Sequence, residues 1–362
     1  MYHSAPYAAS RIADAGLPRM RSAPLSARDK RRPFVSLVIE NPTHHMADVK
    51  DNDFPRTPSR LERFRRVWFG AQGLRSGWAV SLYCAIVAAL VFALDYAGHR
   101  LHHPLHPYHD LTTSGQIPFE LALCAAALIA TYAMGRVDRQ SWLDYGLRAP
   151  HRALHFVWGA LCGFAAIAAI MGLLVLTGGA TIRYSGVGAT AALESGIVWA
   201  ATFVLVAFTE EVAYRGYPFF KLVRQTHPVV AAMLTSVAFG ISHVSNRNEN
   251  IAGIVPIVIY GLVASVAVWR TGSLWWVIGE HAMWDWSESF LFGAANSGLS
   301  SHDTLFTSRA IGPVWLSGGT VGPEASALVF PLLAVLAYAA WRLPMCADPD
   351  RASLPHARKR AM

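Results

Sequence analysis

Charge is what this sequence has least of. Asp, Glu, Lys and Arg make up 15% of its 362 residues, against roughly 25% in soluble domains. With 53% apolar residues and a mean hydropathy of +0.31, that shortage excludes one large soluble globule and excludes a disordered chain. Cysteine is sparse too. Four residues are too few for a disulfide framework; Cys84, Cys124 and Cys162 fall in apolar runs and Cys346 in the tail, and they read as small, mostly buried apolar side chains. The formal net charge of +8 is not a nucleic-acid-binding surface, because 14 of the 31 Lys and Arg lie in residues 1–77 and most others flank apolar runs. No internal repeat or low-complexity tract is present. Residues 1–66 have no apolar core, so no cleavable signal peptide is read.

What is there is a series of long apolar runs. Eight lie near 78–97, 117–134, 154–178, 196–214, 228–244, 251–269, 273–293 and 325–341, each long enough or nearly so to cross a hydrocarbon core of about 30 Å. The fourth, fifth and sixth have polar residues within or at their ends. The fold class expected is all-α: a polytopic membrane bundle of about eight transmembrane helices. With a cytoplasmic N-terminus, 27 Lys and Arg fall on the cytoplasmic side and four (Arg100, Arg183, Arg247, Arg309) on the other. Discounting the long N-terminal segment leaves 13 to four, still a positive-inside pattern with both termini cytoplasmic. Trp78, Trp142, Trp269, Trp275, Trp276 and Trp341 sit near span ends, as an aromatic belt does.

Residues 1–66 are polar, basic and broken by prolines, and read as a mostly disordered cytoplasmic extension. The bundle is expected over 67–342, with its functional core at 196–293 and a cytoplasmic tail at 343–362. Met46 heads MADVKDNDFPRTPSR and is a candidate translation start, which mass spectrometry of the native N-terminus would settle. His99, His102, His103, His106 and His109 crowd the first outer loop, but prolines deny them regular helical spacing, and a solvated loop is expected rather than a metal site.

The informative residues are ionisable groups inside the runs. A carboxylate at bilayer depth costs several kcal/mol unless paired, wet or protonated. The fourth run holds Glu210 and Glu211 side by side, with Arg215 one turn on. Glu211 and Arg215 are spaced i, i+4 and can pair on one face, while Glu210, rotated by about 100°, is left facing something else. One carboxylate held charged and its neighbour free to take a proton is a division of labour that an active site needs. The fifth run carries Phe239 and His243 at i, i+4. Counted from the turn near Thr226, His227 and Pro228, Glu210 and His243 lie at equal distances, so antiparallel helices bring them to one level; a kink at Pro218 would blur that count. The seventh run adds His281 and Asp285 at i, i+4, with Glu288 at i+7 on the same face.

Taken singly, each residue also has a structural reading. A lone intramembrane His often serves as an interhelical hydrogen-bonding group, and a Glu-Arg or His-Asp pair often does the same. Agreement in depth among three helices favours one polar cavity.

These motifs resemble those of the CPBP (CAAX protease and bacteriocin-processing, or ABI) intramembrane endopeptidases: Glu210-Glu211-x-x-x-Arg215, Phe239-x-x-x-His243 and His281-x-x-x-Asp285, with Gly216 after the arginine and SWLDYGLR at 141–148. The resemblance covers about residues 135–293. It implies a membrane-embedded peptidase in which Glu210 activates a water, His243 positions it, His281 with Asp285 stabilises the oxyanion, and Glu211 and Arg215 orient the site. Many members have asparagine where this chain has Asp285. An ionised aspartate cannot donate to an oxyanion, so Asp285 would be protonated, orient His281, or bind a metal. Glu210, His243, His281 and Asp285 are of suitable type for a divalent ion such as zinc, and metal-bound water stays open beside glutamate-activated water. The His-Glu-x-x-His of zinc proteases, the Gly-x-Ser-Gly of rhomboids and the Gly-Asp of aspartyl intramembrane proteases are all absent. The expected partners are membrane lipid and a peptide or protein substrate, without nucleic acid, and the expected location is the plasma (inner) membrane. Two other readings use the same cavity: a non-catalytic scaffold or immunity-type protein, and a proton-coupled transporter, against which the absence of an inverted repeat weighs.

Overall fold

The structure, a computed structural model, describes residues 59–71, 73–101 and 111–344. The N-terminal extension up to residue 58, Met46, the histidines between 102 and 110, Cys346 and most of the tail lie outside the described residues.

The described chain opens with α1 (Arg60–Trp68), whose Ser59 and Glu62 form a reciprocal capping box, a combination that satisfies two orphan amides at once. A two-residue antiparallel pair, β1 (Phe69–Gly70) with β2 (Gly73–Leu74), leads into the bundle. Its helices are α2 (Ser76–Arg100), α3 (Thr113–Asp138), α4 (Arg152–Leu176), α5 (Ala189–Arg215), α6 (Tyr217–Gln225), α7 (Pro228–Ser242), α8 (Ile251–Thr271) and α9 (Trp275–Trp286). After these come β4 (Phe306–Ala310), which pairs antiparallel with β3 (Ala180–Tyr184), then a single turn α10 (Val314–Ser317) and α11 (Val329–Arg342). The class is all-helical with little sheet.

Six stretches among the described residues are long and apolar enough to cross a membrane: Ser76–Arg100, Gly115–Asp138, Arg152–Leu176, Ala189–Gln225, Pro228–Ser245 and Ile251–Thr271. They present apolar side chains outward, such as Phe92 at 73% exposure and Ile197 at 61%. Such surfaces are rare on monomers in water and ordinary against lipid. The last two of the eight expected spans are shorter helices, α9 with 12 residues and α11 with 14. The reason for α9 lies in its sequence. Glu280, His281 and Asp285 cannot face lipid, and the helix is buried among its neighbours, with nine of its 12 residues inaccessible.

Two local features set where the site forms. The first is a break at Gly216 between α5 and α6, where a Cβ would lie 2.3 Å from the Val212 carbonyl oxygen; Pro218 then opens the first turn of α6, as its missing N–H allows. The depth count from Thr226 assumed one helix running to that turn, with Pro218 as its kink, whereas the chain breaks two residues earlier and α6 is a separate helix. It is tied down by the buried pair of Lys221 with Asp138 at the end of α3, 2.6 Å apart.

The second is the close crossing of α4 and α9. A Cβ at Gly163 would fall 2.1 Å from the Glu280 carbonyl oxygen, and one at Gly279 2.1 Å from that of Phe156. Small residues four apart, here Gly159 and Gly163, let membrane helices approach backbone to backbone. Gly279→Val is expected to force the pair apart and lower stability by about 1–3 kcal/mol, read as an earlier unfolding transition in detergent; an unchanged transition would disprove the contact.

Opposite the α6 end, the connections knit together. Asn246 and Asn248 donate side-chain hydrogen bonds to the carbonyls of Ser297 and Gly298, both at 2.9 Å, and the Leu111 amide donates to the Ser300 carbonyl at 2.8 Å. The long loop 294–324, which offered no motif, is ordered by these bonds and by β4. Glu249, in the connection between α7 and α8, accepts from the Asn250 amide at 2.9 Å. Burial pushes its carboxyl up to about 7 from a usual 4.5, and the nearby Glu324 adds to the rise. A raised carboxyl binds its proton more tightly folded than unfolded, so its contribution is fully present below about pH 4.5 and is lost as pH climbs through 7. Glu249→Gln should match the parent in thermal unfolding at pH 4.5 and exceed it at pH 8. Equal stability at both values would show that Glu249 is not buried against a penalty.

Candidate active site

On α5, Glu211 and Arg215 are both fully buried, and the Arg215 Nη1 donates to Glu211 Oε1 at 3.1 Å. The i, i+4 pair read from the sequence is therefore made. The Arg215 guanidinium also lies 4.1 Å over the Phe239 ring, so α7 contributes a cation–π face to the same charge. The neighbour Glu210 turns away from this pair, as the helical rotation requires, and faces a cavity of about 410 Å³.

α9 brings His281 between the two glutamates. Its Nδ1 lies 3.1 Å from Glu211 Oε1, and its Nε2 lies 3.6 Å from Glu210 Oε2 and 3.5 Å from Asp285 Oδ2. With Nδ1–H donated to Glu211, Nε2 is the ring nitrogen presented to Glu210 and Asp285. Asp285 is fixed from the other side by Asn296, whose Nδ2 donates to Asp285 Oδ1 at 3.1 Å and to Ser289 Oγ at 3.2 Å. That bridge leaves Asp285 directed at the imidazole.

His243 lies just past α7, where a 3₁₀ turn begins. Its Nδ1 donates to the Phe239 carbonyl at 2.9 Å, which leaves Nε2 as an acceptor, and the residue lines the same cavity as Glu210, His281 and Asp285. Glu210 and His243 share that cavity without an ion pair. The structure thus gathers all six residues singled out from the sequence. Glu288 is the exception among the accessory residues. The chain winds as a π-helix over Ser287–Leu291, the i+7 relation to His281 fails, and Glu288 is instead buried on the Trp284 indole N–H at 3.0 Å.

Among the cavity residues that were missed are Asn296, Glu324 and Glu120. Glu120 was legible by the rule that flagged Glu210, since it is a lone carboxylate within an apolar run. Asn296 and Glu324 sit in and beyond the loop and carry no pattern.

A metal is tested by whether the donors converge. Among the described residues, no group of three or more His, Cys, Asp or Glu side chains could hold an ion. The quartet Glu210, His243, His281 and Asp285 is not assembled as a ligand set. The residues as arranged do not fit a metal, and no step is derived through one.

A buried acid–imidazole cluster at the meeting of α5, α7 and α9, inside a bundle of apolar helices, lines a polar cavity in a membrane-embedded protein. Residues 192–287 match the family model described as type II CAAX prenyl endopeptidase Rce1-like. The resemblance drawn from the motifs is shown over that segment, which holds all six site residues. No curated protein and no solved structure matches the chain. The apolar helices and the family match together indicate an integral membrane protein.

Proposed function

We propose that this protein is an intramembrane endopeptidase in which Glu210 is the general base. The observation that carries the reading is the placement of His281 Nε2 within 3.6 Å of both Glu210 and Asp285, in a cavity also lined by His243. A water held between Glu210 and the His243 Nε2 loses its proton to Glu210 as its oxygen attacks the scissile carbonyl. His281, with Nδ1–H on Glu211, presents Nε2–H to the oxyanion in its imidazolium form. The proton on Glu210 passes to the amine as the C–N bond breaks, so the site returns to its starting state. Glu211, itself paired with Arg215, holds His281, and Asn296 holds Asp285; Glu211, Arg215, Asn296 and Asp285 are positioning residues.

The bundle over 67–342, with its core at 196–293, would sit in the plasma (inner) membrane with both termini cytoplasmic, residues 1–66 and 343–362 forming the extension and tail. The test is cleavage of a mixed peptide pool by the protein in lipid nanodiscs, read by mass spectrometry beside Glu210→Ala. Cleavage by the parent and none by the variant is expected. Cleavage that survives in Glu210→Ala would overturn the mechanism, and a folded parent that cuts nothing would favour a binding role for the cavity.

A further inference from the structure

The cavity is one-sided in charge. Four carboxyl side chains line it, Glu120, Glu210, Asp285 and Glu324, with the two histidines and, among the described residues, no Lys or Arg. Three of the four carboxyls have an ionic or hydrogen-bonding partner in the cluster, although Glu210 Oε2, like Glu120 Oε2, is buried without a hydrogen bond. Glu210 and Asp285 share His281, and Glu324 accepts from the Ser297 amide and hydroxyl at 2.7 and 2.9 Å. Glu120 is different. It lies on α3, outside the segment that matches the family model, and is only 3% exposed. Its Oε1 accepts from the Gln116 side chain at 2.9 Å, whereas its Oε2 is buried with no hydrogen-bond partner although the residue lines the cavity.

A buried carboxylate oxygen left without a donor is costly, and a charged donor delivered by a ligand removes that cost. The groups that do so are a lysine ammonium or an arginine guanidinium, on a stem whose methylenes fit the apolar wall beside it, such as Phe119 and Leu123. An acidic side chain or a free C-terminal carboxylate placed there would meet four carboxyls against the single His281 imidazolium, with no Lys or Arg among the lining residues described. We propose that the substrates of this cavity are peptides bearing a basic side chain near the cleaved bond, and that Glu120 is the residue that selects it. The proposal rests on the endopeptidase reading for the word substrate, but the recognition itself is a matter of binding.

The test uses the full chain in nanodiscs and peptides that differ at one position only: lysine, its neutral isostere norleucine, or glutamate. Cleavage rates report on the parent, and equilibrium binding, by fluorescence anisotropy, reports on Glu210→Gln, which does not need to cut. The lysine peptide is expected to be favoured over norleucine by about 10- to 100-fold in both readouts, as for a charged partner of a buried group. Glu120→Gln should collapse that ratio toward one, Glu120→Asp should keep part of it, and Glu120→Lys should turn the preference to the glutamate peptide. A lysine preference in binding with no cleavage by the parent would defeat the peptidase reading and leave this inference standing. Glu210-dependent cleavage with equal handling of lysine and norleucine, or a preference that Glu120→Gln leaves intact, would overturn the inference and leave the peptidase reading standing.

Discussion

Arg215→Met is expected to destabilise the bundle by about 3–5 kcal/mol, the cost of leaving one member of a buried ion pair uncompensated. Glu211 is inaccessible and its Oε1 is held by the Arg215 Nη1 and the His281 Nδ1, each at 3.1 Å. Without the guanidinium, Glu211 keeps only the imidazole, and Phe239 loses the cation 4.1 Å above its ring. Glu211→Leu combined with Arg215→Met should recover most of the loss, because an apolar pair of similar volume often replaces a buried salt bridge at little or no cost. Activity should not return, since His281 would have lost the acceptor that fixes its ring. Unfolding of the two variants beside the parent, with peptide cleavage on the same preparations, separates the two roles. An Arg215→Met protein within 1 kcal/mol of the parent would show that the pair does not carry the charge balance assigned to it.

Glu210→Gln should reduce kcat by about 10²- to 10⁴-fold, the usual contribution of a positioned general base, while stability stays level or rises. The second half of that expectation comes from the environment. The Glu210 Oε2 is buried without a hydrogen bond and lies 3.6 Å from His281 Nε2. A neutral amide of the same shape loses little there and no longer competes with Asp285 for one imidazole. Loss of rate with gain of stability is the signature of a residue kept for chemistry rather than for the fold. A variant that loses both together would make Glu210 a structural residue, and one that keeps its rate would remove it from the mechanism.

Several elements were readable from composition and spacing alone. A carboxylate in an apolar run is expensive whatever surrounds it, so Glu210, Glu211, His281 and Asp285 stood out before any fold was known. The i, i+4 rule paired Glu211 with Arg215 correctly, because that contact lies within one helix and needs nothing beyond it. The longer i+7 reading of Glu288 against His281 did not place it in the cavity: Glu288 lies in the π-helix after Trp286 and bonds the Trp284 indole instead. The count of eight spans rested on apolar length, which cannot tell a lipid-facing helix from one enclosed by protein. α9 is apolar for the second reason.

The sequence by itself determined that the chain is a helical membrane protein, that ionisable groups with motif spacing recur in three of its apolar runs, and which carboxylate pairs within its own helix. Those are properties of hydropathy and of the 3.6-residue period, both local. Only the tertiary structure decided which nitrogen of His281 faces which glutamate, that Asn296 from a loop without pattern steadies Asp285, and that Glu120 on a helix outside the matched segment lines the same cavity with one carboxylate oxygen unpartnered. Those facts depend on where separate helices cross. The glycines that let α4 and α9 touch backbone to backbone and the break at Gly216 set that crossing, and no periodicity records it.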